Sequence, residues 1–344
     1  AAGERWALPS LAMNASSPID VLAVGNALVD LLAQVDDQVV KSLGLTKGTT
    51  ALVDQEESAR LRSAVALPTR AAGGSAANTA LGVAMLGASA GYIGRVADDE
   101  LGHFFLDDMR AAGVVYEPAV DRTDPASGLC VSLVTPDGER TMGTYLGQAA
   151  ELQPSDIDPD LVGRARWLYL EGYLWDVPGI PDALRKAAED VRSRGGHVAL
   201  TVSDPFAVER HGESFRSLLG DPVDLVFANE EEARLLFGVS SLAEVTASVQ
   251  DLGVTGALTR GAAGSVVVTA DAVVDVPARP VAAVVDTTGA GDLYAAGFLF
   301  GQAKGMGAER CAELGGLAAA EIISHLGARP LTSLRALAEE AGLL

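Results

Sequence analysis

From Trp167 onward, short apolar runs alternate with helical stretches in a regular order. Strand-like runs lie at Trp167–Leu170, His197–Val202, Leu225–Ala228, Ala257–Thr259 and Ser265–Thr269, with helical stretches at Ile180–Arg194, Glu230–Phe237 and Leu242–Leu252 between them. Repeated βα units close into a parallel sheet covered by helices on both faces. Ligands of such sheets sit at the carboxyl ends of the strands. The first half is less regular. A run from Ile19 to Val24 ends at Gly25-Asn26, and a polar/apolar alternation follows from Leu28 to Val35. Gly73 to Gly87 reads as a glycine turn and a helix, with Ala77, Ala80, Leu81, Ala84 and Met85 at helical spacing. Gly91–Val96 is expected as a strand and Leu101–Ala112 as a helix ending before Gly113. Ser127–Leu146 reads as a hairpin around Pro136-Asp137-Gly138 that projects from the body. Apolar helices are expected from Gly289 to Gly301 and from Ala308 to Leu326, and residues 1–17 as a flexible extension.

With 344 residues and 49% hydrophobic side chains, the chain can bury a large core. Its net charge of -21 disfavours nucleic acid and anionic membranes as partners. An anionic substrate would need a local cationic or backbone-amide site. The apolar stretch from Val21 to Val35 is broken by Asn26 and Asp30, so no membrane span is expected. Two cysteines, Cys130 and Cys311, form no disulfide framework and no zinc pattern, which fits a reducing, cytoplasmic setting. The expected partner is a small molecule, and the sequence leaves monomer and homodimer both open.

The densest chemistry lies in Asp286-Thr287-Thr288-Gly289-Ala290-Gly291-Asp292, where a Gly-rich turn opens a helix. Amides of Gly289, Ala290 and Gly291 at a helix N-terminus make an anion site without side chains. A carboxylate beside them can take the proton of an attacking hydroxyl, which is what phosphoryl transfer needs. Asp292 can equally be only a favourable first-turn acid. A dinucleotide fingerprint fails because its third small position is Tyr294, and no Gly-Lys dipeptide exists for a Walker loop. Gly73-Gly74-Ser75-Ala76-Ala77-Asn78 lets a ligand approach the backbone, with Asn78 offering an amide to hydroxyls or merely capping a turn. Asp30 is an acid in an apolar run, costly unless used or placed on an edge. Asn229 and Glu232 share a helix face, suited to water-mediated Mg²⁺ or to a charged helix start. Thr259-Arg260-Gly261-Ala262-Ala263-Gly264 is a phosphate cradle or a hairpin turn. Gly87-Ala88-Ser89-Ala90-Gly91 matches a hydrolase elbow, but a helix precedes it and a strand follows, the reverse of that motif.

Together these segments resemble the PfkB (ribokinase-like) carbohydrate kinase family over about Ile19 to Pro330. Asp286 to Asp292 looks like its C-terminal signature, Gly73 to Asn78 is similar to its N-terminal one, and Asn229 to Glu232 matches its N-x-x-E motif. The resemblance implies a three-layer α/β/α domain over residues 18–344, with a mainly parallel central sheet and a small β lid from about 31–47 and 127–146. It implies Asp292 as catalytic base and Gly289, Ala290 and Gly291 as the anion hole. Asn26, Asp30, Gly73, Gly74 and Asn78 would bind the acceptor, with Arg140 approaching the phosphates as the lid closes. Asn229, Thr259, Gly261, Gly264 and Thr287 would hold ATP, and Glu232 with Asn229 would hold Mg²⁺. Activation by a monovalent cation such as K⁺ is part of the same implication. Gly25-Asn26-Ala27-Leu28-Val29-Asp30 and Leu200 to Phe206 are similar to segments of the adenosine kinase branch. Where animal members of that branch carry Gln near the purine, this chain has Thr49-Thr50. Guanosine, inosine and free sugars therefore stay open as acceptors, as does a silent nucleoside-binding protein on the same fold.

Overall fold

A computed structural model of the chain describes residues 17–66, 68–118, 120, 122–137 and 139–344. Apart from Ser17, the extension expected at 1–17 lies outside the described residues, as does Gly138 of the expected hairpin turn. The strands are β1 (Ile19–Val24), β2 (Leu28–Gln34), β3 (Thr50–Leu52), β4 (Thr69–Gly73), β5 (Ala90–Ile93), β6 (Gly128–Val134) and β7 (Arg140–Tyr145). They continue as β8 (Ala165–Glu171), β9 (His197–Thr201), β10 (Leu225–Asn229), β11 (Thr255–Thr259), β12 (Ser265–Val268) and β13 (Val273–Val276).

The larger sheet has eight strands in the order β13-β12-β11-β10-β9-β8-β1-β5. Strands β5 through β11 of that order run parallel, and β12 and β13 return antiparallel. Every residue of β1 is buried, as a strand covered on both faces requires. Successive side chains point to opposite faces and enter two different cores. Val21, Ala23 and Tyr169 pack with the helices Ser75–Leu86, Ala290–Ala303 and Ala308–Ile322. Leu22, Val24 and Leu168 pack with Ile180–Ser193, Pro205–Arg216, Glu230–Phe237 and Leu242–Leu252. The result is the three-layer α/β/α arrangement expected from the alternation.

Close helix packing sets the position of the Gly-rich turn. A Cβ on Gly297 would lie 2.4 Å from the Leu314 carbonyl oxygen, and one on Gly82 would lie 2.6 Å from the Ala296 Cβ. Only glycine lets these three helices approach so closely. The start of Ala290–Ala303 is thereby held against the start of Ser75–Leu86.

The second sheet has five strands in the order β3-β7-β6-β2-β4. It includes β2, β6 and β7 from the segments read as a lid, together with β3 and β4, which those segments did not include. Residues Asp37–Ser42 form a helix. In β2 burial alternates: Val29, Leu31 and Ala33 face a core, and Asp30 shares the opposite face with Leu28 and Leu32.

Candidate active site

The carboxyl ends of β1 and β8 meet the N-terminus of the helix Ser75–Leu86. Glu171, the last residue of β8, is 1% exposed. Its Oε1 accepts from the amide and Nδ2 of Asn26 at 3.3 and 3.1 Å, and its Oε2 accepts from the Ala76 amide at 2.8 Å. Burial pushes its carboxyl up to about 7, against the lowering effect of those donors. Glu171 was not among the sequence candidates. It joins two segments that were, and it explains the glycine at Gly25, while Gly74 is fixed by the Asn26 backbone. A Cβ on Gly25 would lie 2.2 Å from Glu171 Oε2, and Gly74, at φ +92°, would place one 2.1 Å from the Asn26 carbonyl oxygen.

Asp292 is half-buried in the first turn of Ala290–Ala303. Its Oδ1 accepts from Ser75 Oγ at 2.7 Å and its Oδ2 from Asn78 Nδ2 at 2.9 Å. The Thr79 hydroxyl donates to its carbonyl oxygen at 3.1 Å. Burial raises its pKa above the usual aspartate value, opposed by Asn78 and Ser75. Asn78 thus contacts the carboxylate directly and does not cap its own helix, whose N-cap is Gly74. The cap of Ala290–Ala303 is Gly289 at φ +78°. The Ala290 amide donates to the Thr287 carbonyl at 3.2 Å, whereas a Cβ on Gly291 would meet nothing within 4 Å. First-turn amides have no acceptor within their own helix, so the open face at Gly291 can take an anion. Thr287 is exposed beside it.

Asp30 reaches this corner from the second sheet. A Cβ on Gly73 would lie 2.3 Å from Asp30 Oδ2, so the carboxylate rests on bare backbone. Burial raises its pKa to about 6, with Arg140 and Arg329 opposing and Asp292 reinforcing the rise. Arg140 lies on β7, and its Nη1 donates to both oxygens of Asp286 at 2.7 Å. Its Nε and Nη2 donate to Ser132 Oγ at 2.9 and 2.6 Å. Asp286 also accepts from the amides of Gly327 and Thr288 at 2.7 and 3.0 Å. Burial would raise its pKa, but these amides and Arg140 hold it below the ordinary value. The second sheet is thereby tied to the loop that leads into Gly289 and Gly291.

On the other side of the sheet ends, Asn229 and Glu232 form a reciprocal cap. Asn229 Oδ1 accepts from the Glu232 amide at 2.9 Å. Glu232 accepts from the Asn229 amide at 2.8 Å and from its Nδ2 at 2.7 Å. Burial, with Asp204 and Glu231 nearby, raises the Glu232 pKa despite the amide bond. Thr259 ends β11, and Gly261 and Gly264 lie in the turn before β12 at φ +55° and +87°. The turn is a hairpin, closed by the Arg260 amide on the Gly264 carbonyl at 2.8 Å. Among the described residues, no cluster of three or more His, Cys, Asp or Glu side chains is arranged to hold a metal, and no helix is long and apolar enough to cross a membrane. Ser89, in the hydrolase-like segment, donates to the Pro18 carbonyl and accepts from the Asp20 amide, a structural role.

A carboxylate beside helix-start amides, at the carboxyl ends of a parallel sheet, has the parts that phosphoryl transfer to a hydroxyl needs. The pfkB family carbohydrate kinase model matches residues 40–334, and the chain belongs to that family. It is 30% identical to an adenosine kinase of Saccharomyces cerevisiae, over 91% of this chain and 96% of that one. The solved adenosine kinase of Sinorhizobium meliloti is 43% identical with a TM-score of 0.88, over 94% of this chain and all (100%) of that one. A solved probable sugar kinase protein of Rhizobium etli is 41% identical with a TM-score of 0.89, over 95% of this chain and 100% of that one. The chain is a sugar or nucleoside kinase of this family, and the family implies ATP as phosphoryl donor with Mg²⁺.

Proposed function

We propose that the chain is an ATP-dependent nucleoside kinase that transfers the γ-phosphate to the ribose 5′-hydroxyl of adenosine, giving AMP. One observation carries this reading. The Asp292 carboxylate is held by Ser75 and Asn78 at 2.7 and 2.9 Å beside Gly291, where a side chain would meet only open space. A hydroxyl placed there loses its proton to Asp292 as its oxygen attacks phosphorus, and the charge gathering on the phosphoryl oxygens meets the helix-start amides. Asp30, on bare backbone at Gly73, accepts from the ribose diol, with Asn26 and Asn78 flanking it.

Asn229 and Glu232 suit Mg²⁺ held through its water shell. Both Glu232 oxygens already accept from Asn229, so direct ligation would break the cap, while the crowding of Asp204 and Glu231 favours a cation nearby. Bound there, Mg²⁺ would neutralise charge on the transferring phosphates. Thr259, Gly261 and Gly264 would line the nucleotide's phosphates, and Arg140 would reach them by leaving Asp286. The second sheet would then act as a lid that keeps water, the competing acceptor, away from phosphorus.

The adenosine assignment draws on Gly25 to Asp30 and on the named relatives. A sugar acceptor is the second reading, favoured by the similarity to the Rhizobium etli protein. A coupled ADP-release assay with adenosine, guanosine, inosine, ribose and fructose separates them. Highest kcat/KM for adenosine is the expected result, and preference for ribose or fructose sinks the nucleoside reading.

A further inference from the structure

The loop after the helix Ala308–Ile322 leans on the turn that carries Gly289, and one buried acid closes that loop at its neck. Glu321, in the last turn of the helix, is 8% exposed. A carboxylate is costly to bury unless donors surround it. Its Oε1 accepts from the amides of Leu331 and Thr332 at 2.8 and 2.9 Å. Its Oε2 lies 3.2 Å from His325 Nε2. His325, Leu331 and Thr332 are thereby drawn to one side chain, and the chain between them bulges as a loop. The bulge is the part that touches the site. The Gly327 amide donates to Asp286 Oδ2 at 2.7 Å. A Cβ on Gly289 would lie 3.0 Å from the Ala328 Cβ, and the three atoms nearest to it all belong to Ala328. Arg329, next along the loop, pairs with Asp108 on the helix Glu100–Ala111.

We propose that Glu321 is a positioning residue for phosphoryl transfer: by closing the loop 325–332 it seats Ala328 against Gly289 and fixes the aim of the amides at Gly289, Ala290 and Gly291. This rests on the anion role given to that turn above. Two contacts carry the effect. Ala328 bears on Gly289 directly. Gly327 donates to one oxygen of Asp286, whose other oxygen accepts from the amide of Thr288, the residue before Gly289, at 3.0 Å. Helix-start amides stabilise a phosphoryl group in flight only while they point at it, and a misplacement of about 1 Å can cost about two orders of magnitude in rate. A clasp that served stability alone would lower the unfolding midpoint and leave kcat where it was. A clasp that aims the amides lowers kcat with little change in the binding of either substrate, because those amides meet the charge that gathers in the transition state.

The test uses the full chain with Glu321→Ala, Glu321→Gln, Ala328→Gly, the double variant of Glu321→Ala with Ala328→Gly, and Gly291→Val, on the acceptor for which the wild type is fastest. Coupled ADP release reads kcat and the KM for ATP, and calorimetry reads the acceptor Kd. The expected result for Glu321→Ala is a kcat lowered roughly tenfold or more, with acceptor Kd and KM for ATP within about threefold of wild type. Glu321→Gln, whose amide oxygen still accepts from both backbone amides, recovers most of kcat. Ala328→Gly removes the bearing contact and lowers kcat in the same way. The double variant falls no further than Glu321→Ala alone, because Ala328 acts through the seat that Glu321 sets. Loss confined to substrate binding, no recovery in Glu321→Gln, or additive losses in the double variant overturns the proposal. If Glu321→Ala does not fold, Ala328→Gly decides, and an unchanged kcat there overturns the proposal. Gly291→Val sets a side chain in the open space beside the turn. If its turnover equals wild type, the anion role of the turn falls and this proposal with it. If only the Glu321 and Ala328 variants are silent, this proposal alone falls. A wild type that prefers a sugar sinks the adenosine reading and leaves this test intact on that sugar.

Discussion

Asp292→Asn is expected to remove catalysis while leaving the fold and acceptor binding close to wild type. The side chain keeps its shape, and its surroundings supply one hydroxyl and one amide, from Ser75 at 2.7 Å and Asn78 at 2.9 Å. The introduced amide can turn its oxygen to the Asn78 nitrogen and its own nitrogen to the Ser75 oxygen. The stability cost is that of weakening charge-assisted bonds to neutral ones, about 1 kcal/mol. Against it stands a gain. Burial raises the Asp292 pKa, so the folded protein is working against that charge, and a neutral amide relieves the strain. The two effects oppose each other, so denaturant midpoints of variant and wild type should differ little. The chemistry is different. An amide cannot take a proton, and loss of a general base costs roughly 10²–10⁴ in rate. That is about 2.7–5.4 kcal/mol of barrier, far above any stability change. The assay is coupled ADP release at saturating ATP with acceptor varied, together with calorimetric Kd for the acceptor. A fall in kcat of a hundredfold or more with Kd within a few-fold is expected. Turnover within threefold of wild type would refute the assignment of the base, and a collapse of acceptor binding would show that Asp292 holds the substrate instead.

The remaining predictions concern the groups around that carboxylate. Asp30 has its pKa raised from 3.8 to about 6, so its contribution to stability is present below 3.8 and is lost as pH rises through about 6. Two units at 1.36 kcal/mol each set an upper limit near 3 kcal/mol, so Asp30→Asn should be more stable than wild type at pH 8 by urea unfolding, yet poor in acceptor binding. Glu171→Ala leaves the buried donors of Asn26 and Ala76 unpaired and should lose about 3–5 kcal/mol, measured the same way. Gly74→Ala forces a side chain into φ +92° with its Cβ 2.1 Å from the Asn26 carbonyl, and should cost at least about 2 kcal/mol with loss of activity. Arg140→Met strands the buried Asp286 carboxylate and unties the second sheet, so protease cleavage within residues 127–146 should speed up.

How much of this was legible in the sequence depends on how far apart the cooperating residues lie. The parallel sheet could be read because each βα unit is a local pattern, with its own periodicity and turn residues. The Gly289 to Asp292 turn could be read for the same reason, since amides and acid sit within four residues of each other. Strands Thr50–Leu52 and Thr69–Gly73 could not, because three residues carry no period and Thr69 and Arg70 are exposed. Ser75, Glu171, Asp286 and Arg329 escaped notice in their structural roles for a different reason. Ser75 meets Asp292 across 217 positions, Glu171 meets Ala76 across 95, and Arg329 meets Asp108 across 221. No local spacing encodes such contacts. One of them still left a trace. Glu171 closes the apolar run Trp167–Leu170, and an acid there is expensive to bury unless donors await it. The same reasoning had singled out Asp30, and applied evenly along the chain it would have found Glu171 too. An ionisable group set in or closing an apolar strand therefore marks a place where charge removed from water is being used. Three buried strand acids in this chain follow that rule: Asp20 on β1 is matched by Ser89, Arg166 and Lys304, while Asp30 on β2 and Glu171 on β8 stand beside the carboxylate proposed to do the chemistry.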